Sequence, residues 1–521
     1  MFGFKSKSQP KERRGVGEEL ARVLPSDGKP WYKQSHLVYL NYLAVSMGLL
    51  SAATGYDGSM MNGLQALPQW AEFMDHPTGA WLGFINAIQF VSSAVAYPIA
   101  AYFANRWGRK KGIFIGYFFI FLGALLQTFA PNDTSFILSR MFIGQPSAWW
   151  GSLAPLLVTE LTYPTHRSFL TTLYNCGYYV GSILSAWVTF GTRNIPSSWA
   201  WRIPSLLQIA IPIIALPAAI LIPESPRYLI AKDRIEEARA ILVRFHAGGD
   251  ENSLLVAFEM NEIEQSIKAD LHNASSTSWL DLVRGEGNRH RALISTTLGI
   301  FAQWNGVGVV SYYLALVLKT VGITSVTDQT LISGCLQIWN LIAAVGAATC
   351  VDSLGRRKLF LASSVGMLIS FILISGLSGG FATTGNTAVG LAVVPMLYIY
   401  YGFYDIAFTP LVVSYPAEIW PYHLRARGIA LTQMSTYIAL FFNTFVNPIA
   451  LDAIGWKYYI VFAAILVVIT VTIWFYYPET KGHTLEEMAV VFDGADAAVS
   501  GQEALEITLE RKGSVKLIEH A

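Results

Sequence analysis

Charge is what this chain has least of. Only 14% of its 521 residues are Asp, Glu, Lys or Arg, against roughly a quarter in an ordinary soluble domain. A water-facing globule of this size is thereby excluded, because too little charge remains to cover its surface. Net charge is scarce as well: 36 Lys and Arg against 35 Asp and Glu leave +1, which removes the basic footprint of a nucleic-acid binder. Cysteine is nearly absent. Cys176, Cys335 and Cys350 lie in apolar runs without pairing or metal-ligand spacing, so no disulfide framework, metal or other cofactor is expected. No Gly-rich phosphate loop and no nucleophile–base set occurs, which argues against an enzyme. The first 35 residues are polar and basic, with no apolar core to act as a cleavable signal peptide.

Apolar residues are abundant instead: 53% are hydrophobic and 13% aromatic, with a mean hydropathy of +0.41. Stretches able to cross about 30 Å of hydrocarbon at 1.5 Å per residue predict an all-α membrane protein of twelve transmembrane helices. Six fall at 37–57, 80–104, 112–130, 136–158, 169–192 and 201–222, and six at 292–318, 330–351, 358–378, 388–414, 428–452 and 458–477. Two six-helix halves follow, 37–222 and 292–477. They are flanked by an N-terminal segment 1–36 and a tail 478–521, and joined by a charged, helix-favouring linker 223–291. Lys and Arg precede the first span, follow the second and eighth, and recur at Arg167, Arg425 and Arg427, while 58–79, 131–135 and 379–387 have none. That asymmetry puts both termini and the linker in the cytoplasm.

Three short polar motifs recur in order between the halves at an offset of roughly 250 residues. Arg106-Trp107-Gly108-Arg109-Lys110-Lys111 pairs with Leu354-Gly355-Arg356-Arg357-Lys358. Glu160 and Arg167 are spaced like Glu418 and Arg425. Pro223-Glu224-Ser225-Pro226-Arg227 pairs with Pro478-Glu479-Thr480-Lys481-Gly482. The positive-inside rule explains the cations but not the matched glutamates.

With RWGRKKG at 106–112, PESPRYL at 223–229, LGRRK at 354–358 and PETKGHTLEEM at 478–488, the chain resembles the sugar porter family of the major facilitator superfamily over essentially its whole length. GYDGSMMNG at 55–63, LYNCGYYVGS at 173–182, QWNGVGVVSYYL at 303–314 and PYHLRARG at 421–428 make it most similar to the fungal lactose permease and cellodextrin transporter branch. The resemblance implies a monomeric sugar transporter of the plasma membrane. It would work by alternating access in the bilayer, as a proton symporter for a disaccharide such as lactose or cellobiose. A facilitative hexose or pentose carrier, a transporter-like sugar sensor and a metabolite exporter are the alternatives.

The family places a proton-carrying Asp and its Arg partner at Asp57 and Arg140, which end the first predicted span and begin the fourth. An ionisable residue inside a span either faces a water-filled cavity or is paired. The competing reading makes Asp57 an outer helix cap and Arg140 an interfacial anchor. The resemblance, with the amides and aromatics of the seventh span, marks Asn175, Gln303, Trp304, Asn305, Tyr312, Tyr313 and Asn340 as sugar-contacting positions; the competing reading of each amide is an interhelical hydrogen bond. Amides match vicinal hydroxyls, and aromatic rings cover the apolar faces of a pyranose. Ala302 and Gly308 replace a family Gln and Asn, and Val413 stands where monosaccharide carriers have Trp. Together these imply a larger cavity, which Tyr415 or Tyr437 would otherwise refill. Arg109, Glu160, Arg167 and Glu224, with Arg356, Glu418, Arg425 and Glu479, would form the inner gate; Asn105 replaces the Asp that opens the first basic motif, implying a weaker network there.

Overall fold

The computed structural model describes Leu24 and residues 30–276, 278–481 and 491–492. Its contacts divide into two compact units. Unit 1 comprises Met1–His272 with Ser325–Leu341, and unit 2 comprises Asn273–Thr324 with Ile342–Ala521. Among the described residues there is no strand. Hydrocarbon gives the backbone no hydrogen-bond partner, so each crossing segment satisfies itself as a helix.

Twelve spans occur among the described residues. The first six are Ser35–Leu64, Gly79–Trp107, Arg109–Thr128, Asp133–Leu161, Arg167–Thr192 and a sixth divided into Trp199–Leu207 and Ala210–Leu221. The seventh is broken into Glu286–Trp304 and Val307–Thr320. Val326–Leu354 and Arg356–Thr384 are the eighth and ninth. The tenth comprises Thr387–Leu391, Val393–Ala407 and Leu411–Ile419, and Tyr422–Ile454 and Tyr458–Tyr476 complete the set.

Several helices overrun their apolar stretches. The first has 30 residues, roughly 45 Å at 1.5 Å per residue, so Asp57 lies two turns inside it rather than at its end. Arg140 likewise sits seven residues into the fourth. The seventh and tenth spans, predicted as continuous, are interrupted at Asn305–Gly306 and Phe408–Pro410. Gly306 takes φ +104°, a left-handed conformation open to glycine at little steric cost.

In unit 1 the first span packs on the fifth, and the fourth on the second and third; in unit 2 the seventh packs on the eleventh, and the ninth on the tenth and twelfth. Helix association in lipid rests on close backbone approach. Gly181 shows how close: a Cβ there would lie 1.7 Å from the carbonyl oxygen of Ala52.

Linker helices Pro226–Ala231, Ile235–His246 and Leu254–Ser276 bury a small core of Tyr228, Leu229, Ile230 and Ala238 against Ile241, Met260, Ile263 and Ile267. Buried His246 ties it to the fourth span. Its Nδ1 is 2.7 Å from Glu259 Oε2, and its Nε2 is 3.0 Å from the carbonyl oxygen of Leu161, one of the carbonyls a helix leaves unpaired at its C-terminus. Farther along, the Ser278 backbone N–H and then Arg284 hold the partly exposed Asp281 carboxyl below its usual range.

Candidate functional site

Three spans of unit 1 converge on one charge pair. Asp57 and Arg140 are each only 2% exposed, and Arg140 Nη1 donates to Asp57 Oδ1 at 2.9 Å. Gln89, from the second span and also 2% exposed, closes the group: its Nε2 donates to Asp57 Oδ2 and its Oε1 accepts from Arg140 Nη2. The outer-cap reading of Asp57 is therefore overturned. Sequence reasoning passed over Gln89 because it weighed charges and not amides, yet an amide in the run FINAIQFV at 84–91 falls under the same rule that singled out Asp57.

Where the two basic motifs begin the third and ninth helices, each half builds the same arrangement from its own residues. In unit 1, Arg109 Nη2 donates to Glu160 Oε1 at 3.1 Å, and Ser225 Oγ donates to Glu160 Oε2. Glu224 accepts from the backbone N–H groups of Arg109 and Lys110 at 3.0 and 3.2 Å, where the third helix begins with its amides unpaired. In unit 2, Arg356 Nη2 and Nε donate to Glu418 at 3.0 and 3.1 Å, Thr480 Oγ1 donates to Glu418 at 2.5 Å, and Glu479 takes the N–H groups of Arg356 and Arg357 at 2.8 and 3.2 Å. The glycines complete the match. Gly108 and Gly355 have φ +102° and +92°, and a Cβ would lie 2.2 Å from Glu224 Oε2 in one case and 2.7 Å from Glu479 Oε2 in the other. The first network thus forms with Asn105 in place of Asp. Arg167 opens the fifth helix in an exposed position, and Arg425 Nε reaches the carbonyl oxygen of Trp420 at 3.5 Å.

Three of the residues expected to contact sugar make structural bonds in the seventh span. Asn305 is fully buried; its Oδ1 accepts from the Val307 N–H at 3.0 Å and from Tyr400 OH at 3.2 Å, taking up one of the amides left unpaired where the helix resumes after the break. Trp304 donates Nε1 to Ala439 O at 3.1 Å and packs on Phe442. Tyr313 is buried and donates to Thr444 O at 2.5 Å. These three brace the broken span against its neighbours. Gln303, Tyr312 and Tyr437 are half-buried. Asn340 is buried, with Nδ2 3.4 Å from Gln337 Oε1. Asn175 lies on the fifth helix, but its side chain is outside the described residues.

The enlarged-cavity argument also changes. Asn443 fills the space beside Gly308, where a Cβ would meet its Nδ2 at 2.0 Å, and it donates to Gln303 O at 2.8 Å. Ala302 is buried. Neither position opens space, so that argument rests on Val413, which is 46% exposed. Tyr415 is fully buried and donates to Pro478 O at 2.7 Å, which leaves it unable to refill the Val413 position. A second intramembrane carboxylate escaped notice: Asp405 in the tenth span is buried and accepts from Thr409 Oγ1 at 2.7 Å.

Residues 43–492 match the family model described as "Sugar (and other) transporter". Among curated proteins, the chain is 29% identical over 480 residues to the MFS-type transporter oryC of Aspergillus oryzae, covering 89% of this chain and 88% of that one. It is 26% identical over 494 residues to the high-affinity glucose transporter of Kluyveromyces lactis, covering 90% and 88%. Among solved structures, the inward-open xylose transporter XylE of E. coli superposes with a TM-score of 0.72 at 21% identity, over 88% of this chain and 100% of that one. A second structure of that protein, described as a proton:xylose symporter, gives 0.69 at 21% identity over 88% and 99%.

Proposed function

Because this chain belongs to the family of sugar and other transporters and has the major facilitator fold, its activity is the passage of a sugar across a membrane, and we propose that it drives uptake by cotransport of a proton. The observation that carries the proposal is the buried Asp57–Arg140 pair, closed by Gln89. Ionised, Asp57 holds Arg140. A proton taken from the outer side removes the carboxylate's charge, weakens its hold on the guanidinium and frees the spans to rearrange. Release of that proton to the cytoplasm restores the pair and resets the carrier. The similar xylose carrier is itself described as a proton symporter.

The bound sugar is a disaccharide of the lactose or cellobiose type, in keeping with the resemblance to the lactose permease and cellodextrin branch. Val413, exposed where monosaccharide carriers place Trp, supports that reading. Asn175, Gln303, Trp304, Asn305, Tyr312, Tyr313, Asn340 and Tyr437 are the residues proposed to contact it. A hexose is the second reading, favoured by the similarity to a glucose transporter. The carrier works as a monomer in the plasma membrane with both termini in the cytoplasm, and the Arg109–Glu160 and Arg356–Glu418 groups gate its inner side. Uptake of labelled cellobiose, lactose and glucose in a transport-deficient host, with and without an uncoupler, tests all of this. Uncoupler-sensitive uptake of the disaccharides is expected; insensitive uptake would make the protein a facilitator.

A further inference from the structure

Gln89 lies between the two members of the charge pair, and chemistry fixes which way its amide points. A guanidinium has only donors, so the amide oxygen has to face Arg140; a carboxylate has only acceptors, so the amide N–H has to face Asp57. The bonds found are these two, Gln89 Nε2 to Asp57 Oδ2 and Arg140 Nη2 to Gln89 Oε1. Arg140 Nη1 closes the ring on Asp57 Oδ1. Every side of this triangle has a donor at one end and an acceptor at the other, and all three residues are 2% exposed, so no bulk water stands ready to replace a lost partner.

Adding a proton to Asp57 disturbs that polarity at whichever oxygen it binds. On Oδ1 the new O–H faces the Nη1 donor of Arg140 directly. On Oδ2 it faces the amide N–H of Gln89, again donor against donor. Turning the amide over satisfies Asp57 but points the N–H₂ at Arg140 Nη2, moving the conflict one bond along. A proton placed on an oxygen's second lone pair escapes the clash but finds no acceptor within the triangle, so in each case withdrawal of Arg140 relieves the group. With an apolar side chain at position 89 the conflict disappears: a protonated Oδ2 has no opposing donor, and the neutral acid keeps its other oxygen as an acceptor for Arg140. We infer that Gln89 is a positioning residue whose amide makes proton binding at Asp57 and withdrawal of Arg140 a single event, so that the proton cannot bind without moving the carrier.

This inference rests on Asp57 being the proton carrier, and the experiment separates the two. Wild type, Gln89→Leu, Gln89→Glu and Asp57→Asn are reconstituted as full-length chains in lipid vesicles and assayed with labelled glucose and labelled cellobiose. One assay is exchange at equal pH on both sides, and the other is accumulation driven by an imposed pH gradient, each across a range of pH. Gln89→Leu should keep exchange, lose accumulation by about tenfold, the scale of a typical coupling between sites, and show a flattened pH profile. Gln89→Glu, whose protonated acid offers one donor and one acceptor in the amide's places, should regain accumulation as the pH falls. Wild-type accumulation and pH profile in Gln89→Leu, alongside loss of accumulation in Asp57→Asn, overturns the role of Gln89 and leaves the coupling reading standing. Undiminished accumulation in Asp57→Asn overturns the coupling reading itself. If Gln89→Leu fails to exchange, Gln89→Glu decides: accumulation that climbs with acidity supports the polarity argument, and an unaltered pH profile overturns it.

Discussion

The two halves share the helix ends that carry the basic motifs and differ in their interiors. Arg109, Glu160, Glu224, Ser225 and Gly108 in the first half have counterparts in Arg356, Glu418, Glu479, Thr480 and Gly355 in the second, down to the carboxylate seated on the N-terminal amides of the following helix. Inside the membrane the resemblance ends. The first half buries a carboxylate against a guanidinium and an amide; the second breaks two spans and buries Asp405 against Thr409, with tyrosines from the tenth span reaching the seventh. A repeat preserved at its ends and altered at its centre fits a proposed division in which the ends serve a motion common to both halves and proton coupling belongs to the first.

Exchanging the two buried carboxylates for amides puts that division at risk. Asp57→Asn should abolish uphill accumulation while sugar exchange stays measurable, because the variant can be loaded with sugar but not with a proton. Asp405→Asn should leave accumulation in place and alter affinity instead. The measurement is accumulation ratio against exchange rate in the same vesicles. The comparison breaks if Asp405→Asn uncouples and Asp57→Asn does not.

A smaller effect separates the two latches. The Arg109–Glu160 side chains are 10% and 9% exposed, and the Arg356–Glu418 pair is 16% and 29% exposed. Removing one partner of a buried pair strands the other, at a cost of about 3–5 kcal/mol, whereas a partly solvated pair is worth about 1 kcal/mol. Glu160→Gln should therefore lower the thermal midpoint of the purified protein clearly more than Glu418→Gln. Both should raise the labelling rate of a reporter cysteine on the cytoplasmic side. Equal midpoints would show that burial does not distinguish the latches, and unchanged labelling would reduce these charges to topology signals.

Much of this was legible in the sequence, for physical reasons that also mark where legibility stops. Hydrocarbon demands long apolar helices, so the run lengths revealed the twelve spans, and the matched motifs pointed to the Arg109–Glu160 and Arg356–Glu418 pairs. The overrun of the first helix past residue 57 was hidden, because helical backbone continues through polar residues such as Asn62 as readily as through apolar ones. The roles of Trp304, Asn305 and Tyr313 were hidden as well. A polar or aromatic residue in a span can face a cavity or a neighbouring helix with the same spacing, and only packing shows that Asn305 bonds the Val307 N–H and Tyr400 beside the break and that Tyr313 reaches Thr444. Gln89 and Asp405 were within reach, since an amide or carboxylate in a span needs a partner whatever its formal charge.

The smallest expected effect concerns the wall of the second half. Val413 is 46% exposed on the short helix Leu411–Ile419, and neither Tyr415, committed to Pro478, nor the neighbourhood of Gly308, filled by Asn443, compensates for or adds to the space it leaves. An indole placed there would take up volume that a second sugar ring needs and a single ring does not. Overfilling a packed site costs roughly 1–3 kcal/mol, and the lower end is the expectation here because the position is open on one side. Val413→Trp should therefore shift the preference for cellobiose over glucose by about tenfold toward glucose, with the accumulation ratio for glucose unchanged, since the coupling group lies in the other half. Competition of the two sugars for uptake in wild type and variant measures it. A wild type that already prefers glucose, or a variant whose ratio does not move, removes the argument for a disaccharide; a variant that loses coupling as well would show that substrate and proton are not divided between the halves.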